Sequence, residues 1–136
     1  MFDHPLDSPA AVLEASASVL EHGVRYVLCT LGAQGALLAY RSGTQTFAFQ
    51  MPAILPRRVV DPTGCGDTFG AAFLKGILEG ETPPKALALA AAAASLNCEE
   101  IGLEGARQIP RARARLRESH PALLEKLEAG WPGEPL

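Results

Sequence analysis

Apolar and polar positions divide this chain into segments of helical and strand period. Val12, Ser16, Val19 and Gly23 repeat at helical spacing, and Leu13 and Leu20 widen the stripe, which predicts a helix over residues 10–21. Ser8 is placed to cap it, Pro9 suits its first turn and Gly23 its left-handed exit. Residues 24–31 are β-prone and nearly all apolar, the pattern of a strand covered on both faces as in a parallel sheet. After the glycine turn Gly32-Ala33-Gln34-Gly35, residues 36–40 and 46–50 read as two strands of a hairpin joined through Arg41-Ser42-Gly43-Thr44.

Residues 51–58, with Pro52 and Pro56, read as irregular, and Val59-Val60 as a short strand entering a second glycine turn. Phe69, Ala72, Phe73, Gly76 and Ile77 mark one face of a helix ending near Gly80. Pro83-Pro84 restarts a helix that runs to about Leu96. Residues 101–108 form a glycine-containing loop, and residues 109–129 a charged amphipathic helical stretch broken at Pro121. Helix, glycine and buried strand in succession place the chain in the α/β class.

A length of 136 residues fits one domain, long enough to bury about two-thirds of its unfolded surface. Apolar residues at 48% and charged residues at 20% exclude a disordered or fibrous chain. The net charge of −3 provides no global field for nucleic acid or an anionic membrane. Cys29, Cys65 and Cys98 are far apart in sequence and form no CxxC pair or zinc spacing, so they read as three reduced thiols of a cytoplasmic protein. Met1-Phe2-Asp3-His4-Pro5 lacks the pattern of a secretory leader, and the apolar run 86–96 is too short to span a bilayer.

The chemistry concentrates in Thr63-Gly64-Cys65-Gly66-Asp67-Thr68. Two glycines around one small residue let the backbone turn sharply and approach a ligand closely. A helix follows at once, so its first amides point into the turn and would bind an anion, phosphate above all. Asp67 has two readings. It is a helix cap, or it is a base that orients an attacking hydroxyl and accepts its proton as attack on phosphorus proceeds.

Asp61-Pro62-Thr63-Gly64-Cys65-Gly66-Asp67-Thr68-Phe69 resembles the D-[TP]-T-G-A-G-D-x-F signature of the ribokinase-like (PfkB) carbohydrate and nucleoside kinases, with Cys65 in place of the usual alanine. Thr30-Leu31-Gly32-Ala33-Gln34-Gly35-Ala36 resembles that family's T-L-G-x-x-G nucleotide turn, and the resemblance runs from about Ala10 to Pro110. It implies a three-layer α/β sandwich of which this chain is the C-terminal part. The motif-bearing core would cover about residues 10–110, and a helical tail residues 111–136. It implies transfer of the ATP γ-phosphoryl group to a hydroxyl of a sugar, sugar phosphate or nucleoside, with Mg2+ on the phosphates. Asp67 would be the catalytic base, and the amides of Gly64, Cys65 and Gly66 the anion hole. Thr30, Leu31, Gly32, Ala33, Gln34 and Gly35 would line the ATP phosphates and ribose, and Ala91 would pack near the adenine. Asp61 and Thr63 would help hold a monovalent cation such as K+, its other ligands coming from the 99–105 region.

Members of this family carry a further N-terminal half, bringing most of the sheet, the acceptor-binding residues and an N-x-x-E motif. Without it a strand edge and apolar faces would be exposed, so self-association or a partner supplying that half is expected. Asn97-Cys98-Glu99-Glu100 matches N-x-x-E but lies downstream of the turn and reads as coincidence. The alternative function is a non-catalytic nucleotide-binding remnant or subunit. A dinucleotide fold fails because GxGxxG would need glycine at Phe69, and GxxxxGK[ST] is absent. His4, His22 and His120 read as surface residues outside any hydrolase motif. Arg107, Arg111, Arg113, Arg115 and Arg117, with no interleaved aromatic, read as a solvated helix face rather than a nucleic-acid surface.

Overall fold

The computed structural model describes residues 8–102 and 104–136. The leaderless reading of Met1 to Pro5 therefore falls outside the described residues, as do His4 and one position of the 101–108 loop. Helix α1 spans Pro9–Glu21 and is capped by Ser8, whose hydroxyl accepts from the Ala11 amide at 3.2 Å. Strands β1 (Tyr26–Thr30), β2 (Ala36–Ser42) and β3 (Gln45–Met51) follow, then helices α2 (Cys65–Leu78) and α3 (Pro83–Asn97). The chain closes with α4 (Ala112–Ser119), α5 (Pro121–Glu128) and a two-residue strand β4 (Glu134–Pro135). A 3-10 turn occupies Gly32–Gln34 and a 3-10 segment Glu104–Arg111, where a loop is expected from sequence.

The sheet has the order β1-β2-β3-β4 and every pairing in it is antiparallel. This corrects the parallel reading of residues 24–31. Successive strands are joined by tight turns at Gly32–Gln34 and Gly43, and tight turns reverse direction. The strand is also shorter than expected and only half-buried over Tyr26–Cys29. Its outer edge pairs with no other strand among the described residues, so the expected open edge is β1. Val59-Val60 forms no strand. Both side chains are exposed, and the amides of Val60 and Asp61 donate instead to the Cys98 carbonyl, at 2.8 and 3.2 Å.

β2 is buried on both faces and organises three layers. Leu37 and Ala39 face α1, where Val12 and Leu20 are buried. Ala36, Leu38 and Tyr40 join Phe49, Met51, Phe73 and the alanines of α3 in the main core. Glycine is required where α2 meets α3 most closely: a Cβ on Gly76 would lie 2.9 Å from Cβ of Ala86. α4 and α5 add Ala112, Leu116, Leu124 and Leu127 to this core. The C-terminal segment then returns to the sheet, with Tyr40 Oη donating to the Pro132 carbonyl at 2.7 Å and Trp131 edge-on to Phe49. Among the described residues no helix is long and apolar enough to cross a membrane.

The arginine stretch is corrected at one position. Arg107, Arg111, Arg113 and Arg117 are exposed, but Arg115 is 7% exposed and points inward from α4 to Ser95 and Glu99.

Candidate active site

A cavity of about 400 Å³ opens between the two glycine turns and the outer face of α3. Thr30, Gly32, Ala33 and Gly35 line it from the first turn, Cys65 and Gly66 from the second, and Ala91 from α3. Ile54, Phe69, Ala94 and Cys98 add apolar wall between them. Two motifs about thirty residues apart in sequence are thus brought to one cavity, together with the α3 position expected beside them. Leu31, Gln34, Gly64 and Asp67 adjoin these residues in the chain but are not part of the lining.

The first turn is fixed by backbone geometry. The Leu31 amide donates to the Gly35 carbonyl at 2.8 Å, and Gln34 and Gly35 donate back to Leu31 and Gly32. Gly35 has φ +97° and lies so close to the end of β3 that a Cβ would come within 2.0 Å of the Met51 carbonyl oxygen. Only glycine fits there.

The second turn is set by Gly64, which occupies the cap position of α2 in the left-handed region, φ +76°. Gly64 contributes no side chain to the cap, and Asp67 makes no side-chain hydrogen bond to the first amides, which removes the helix-cap reading of Asp67. Its carboxylate is exposed in the first turn of α2 instead. The Cys65 amide reaches the Pro62 carbonyl at 3.2 Å, whereas those of Gly64, Gly66 and Asp67 meet no acceptor outside the helix among the described residues. Gly66 is informative for what it lacks. It has no positive φ, and a Cβ there would meet nothing within 4 Å, so neither backbone strain nor packing calls for glycine. Its bare backbone faces the cavity.

Asp61 anchors the turn from behind. Its Oδ1 accepts from the Thr63 amide at 2.9 Å and its Oδ2 from the Gly102 amide at 2.8 Å. Thr63, through its side chain and then its amide, and the Gly102 amide after it, hold the Asp61 carboxyl below the usual carboxylate range. Asn97, fully buried at the end of α3, donates through Nδ2 to the Thr63 carbonyl at 3.0 Å and the Gly102 carbonyl at 3.1 Å. Glu99 accepts from the Arg57 amide at 2.6 Å and from Arg115 at 2.7 and 3.0 Å. The tetrapeptide Asn97-Cys98-Glu99-Glu100 is therefore a structural buttress of the turn, a role the sequence reading missed. The signal available was two polar side chains closing an otherwise apolar helix.

Residues 1–109 match the pfkB family carbohydrate kinases. Ribokinase of Arabidopsis thaliana is 39% identical over 97 residues, which cover 71% of this chain and 24% of that enzyme. The ATP-dependent 6-phosphofructokinase of Thermoanaerobacterium thermosaccharolyticum is 35% identical over 83 residues, covering 61% of this chain and 24% of that enzyme. Among solved structures, Arabidopsis thaliana ribokinase complexed with ribose and ATP superimposes with a TM-score of 0.67 at 32% identity, over 79% of this chain and 35% of that one. The chain spans about a quarter of the length of these curated relatives, so it holds part of their fold. The resemblance read from the two glycine motifs and the ribokinase-like fold are both borne out: this chain belongs to the pfkB family of carbohydrate kinases.

Proposed function

We propose that this chain is the nucleotide-binding and catalytic part of a kinase that transfers the γ-phosphoryl group of ATP to a hydroxyl of a sugar, sugar phosphate or nucleoside. The observation carrying this reading is Gly66, a glycine that neither conformation nor packing requires, with its bare backbone on the cavity beside the exposed carboxylate of Asp67. Free amides at a helix start suit a phosphate, and the first glycine turn lies across the same cavity. The acceptor hydroxyl would attack the γ-phosphorus while Asp67 takes its proton, and ADP would leave as the bond to the β-phosphate oxygen breaks. The amides would meet the charge that develops on the phosphoryl oxygens. The ATP held by the solved ribokinase supports the choice of nucleotide. The names of the relatives, ribokinase and phosphofructokinase, support a sugar or sugar phosphate as acceptor.

Magnesium on the ATP phosphates would neutralise their charge. The described residues gather no group of three His, Cys, Asp or Glu side chains, so they do not form a divalent site of their own. A monovalent cation fits better. Asp61 and Thr63 would contribute oxygens to it, and the buried Asn97, whose Nδ2 donates to the Thr63 carbonyl, has an Oδ1 with no donor among the described residues.

The test is ATP binding followed by a coupled assay with sugars, sugar phosphates and nucleosides, with the chain alone and with the N-terminal part of a pfkB kinase supplied in trans. Turnover with one acceptor class is the expected result. ATP binding without turnover in either arrangement would favour a nucleotide-binding remnant, and no ATP binding would overturn both readings.

A further inference from the structure

Cys65 and Cys98 are 33 residues apart in sequence, yet their sulfurs lie 2.7 Å from each other in the wall of the cavity. Both are free thiols and both are half-buried. Read separately, each is a small residue in a small space. Read together they are a dithiol, because a disulfide needs about 2.05 Å and the sulfurs would close by less than about 1 Å. Each side of the pair is already fixed. The Cys98 carbonyl holds the amides of Val60 and Asp61, and Asn97 Nδ2 reaches both the Thr63 carbonyl and, at 3.5 Å, the Cys65 sulfur. The cavity of about 400 Å³ in front of them admits a small oxidant.

We propose that Cys65 and Cys98 form a reversible redox site, closed to a disulfide by a low-molecular-weight disulfide, and that closure restrains the glycine turn. Both cysteines line the cavity, so either can open the exchange. The thiolate of one attacks one sulfur of the small disulfide, breaks that S–S bond and releases one small thiolate. The sulfur of the other, on losing its proton, then attacks the first cysteine's sulfur and expels the second small thiolate. The two cysteines lose two electrons, the small disulfide gains them, and the two protons end on the two released thiols. Cys65 sits between Gly64 and Gly66, so the bridge ties the anion-binding backbone to the end of α3. That last consequence rests on the nucleotide reading of the cavity.

The experiment equilibrates the chain with mixtures of oxidised and reduced glutathione, alkylates the remaining thiols and maps peptides without reduction. ATP affinity is measured on the same samples. A Cys65–Cys98 bridge with Cys29 still alkylated, together with an ATP affinity about tenfold weaker that dithiothreitol restores, is the expected result. In Cys98→Ala the ratio of oxidised to reduced affinity becomes one. Should that variant not fold, phenylarsine oxide on the unmodified chain replaces it, and protection of both cysteines from alkylation shows the dithiol. Cys65 and Cys98 each carrying a separate glutathione would overturn the site. A bridge that leaves ATP affinity unchanged would overturn the restraint. A bridge in a chain that binds no ATP in either state would uphold the redox site and overturn the nucleotide reading instead.

Discussion

The guanidinium of Arg115 meets both oxygens of Glu99, Nη1 to Oε1 at 2.7 Å and Nη2 to Oε2 at 3.0 Å. The same Glu99 oxygen that receives Nη1 also accepts the Arg57 amide at 2.6 Å. One ion pair thus joins α4, the end of α3 and the segment that leads into the second glycine turn. The pair lies well inside the surface, with side-chain exposures of 7% for Arg115 and 16% for Glu99.

Arg115→Met is expected to destabilise the chain by about 3 kcal/mol, because it leaves a sheltered carboxylate without its cation. Replacing both partners with apolar residues should recover much of that loss, since the remaining charge is then removed as well. Urea unfolding of the single and double variants measures both effects. A loss below about 0.5 kcal/mol in Arg115→Met would show that the pair behaves as a solvated surface bridge.

The pair also sets an acid limit. The hydrogen bonds from Arg115 hold the Glu99 carboxyl below its usual range against the opposing effect of burial, and the Arg57 amide adds to the lowering. A carboxyl depressed by folding contributes stability that is fully present above its unfolded pKa, near 4.3, and disappears as pH falls through the lower folded value. Unfolding midpoints taken from pH 6 down to about pH 3 should therefore fall more steeply in the native chain than in Arg115→Met. Parallel curves would exclude Glu99 as the source. Asp61, lowered by Thr63 and Gly102, titrates in the same direction in both proteins and does not separate them.

Much of this arrangement was legible in the sequence because it depends on local rules. Ser8 and Pro9 start α1 as capping chemistry requires, and Gly64 and Gly35 mark the two turns that only glycine allows. The apolar run before Gly32 was misread because a fully apolar strand has the same composition whether its neighbours run parallel or antiparallel. Here the turns decide, and α1 and the main core cover the two faces. Nothing local to Arg115 marks it as turning inward. A helix face written in arginines looks solvated until Glu99, 16 residues earlier, is found beside it in space. The contact between Cys65 and Cys98 was invisible for the same reason, since it is created by the packing of α2 against α3.

Gly35 and Gly32 separate conformational from steric need. A Cβ at Gly35 would collide with Met51 O at 2.0 Å and with Ala53 N at 2.9 Å, at a φ of +97°. At Gly32, φ is +56° and no atom lies within 4 Å. Gly35→Ala should therefore cost about 3 kcal/mol, through strain and backbone overlap together. Gly32→Ala should cost about 1 kcal/mol, from the left-handed conformation alone. Equal losses in thermal unfolding would show that the end of β3 yields freely to the first turn.

Gly66→Val examines the second turn without disturbing the fold. A Cβ there meets nothing within 4 Å, so the change in stability should stay within about 0.5 kcal/mol. The same side chain projects from a backbone that lines the cavity. ATP affinity by calorimetry should fall at least about tenfold. A stable variant whose ATP affinity equals that of the native chain would remove the second turn from the proposed nucleotide site.

Asp67→Asn tests the proton-accepting role proposed for Asp67. The side chain is exposed and makes no hydrogen bond to the first amides of α2, so the structural cost is limited to the loss of a negative charge near a helix N-terminus, about 0.3–1 kcal/mol. Asparagine keeps the shape and can still position a hydroxyl, but it cannot take the proton. With the missing part of the fold supplied, kcat should fall by about 10²–10⁴ while ATP affinity stays near the native value, because under the proposed function the amides, and not this carboxylate, would hold the γ-phosphate. A matching fall in ATP affinity would place Asp67 in binding rather than proton transfer. Near-native turnover would assign the base to a residue on the acceptor side of the cavity.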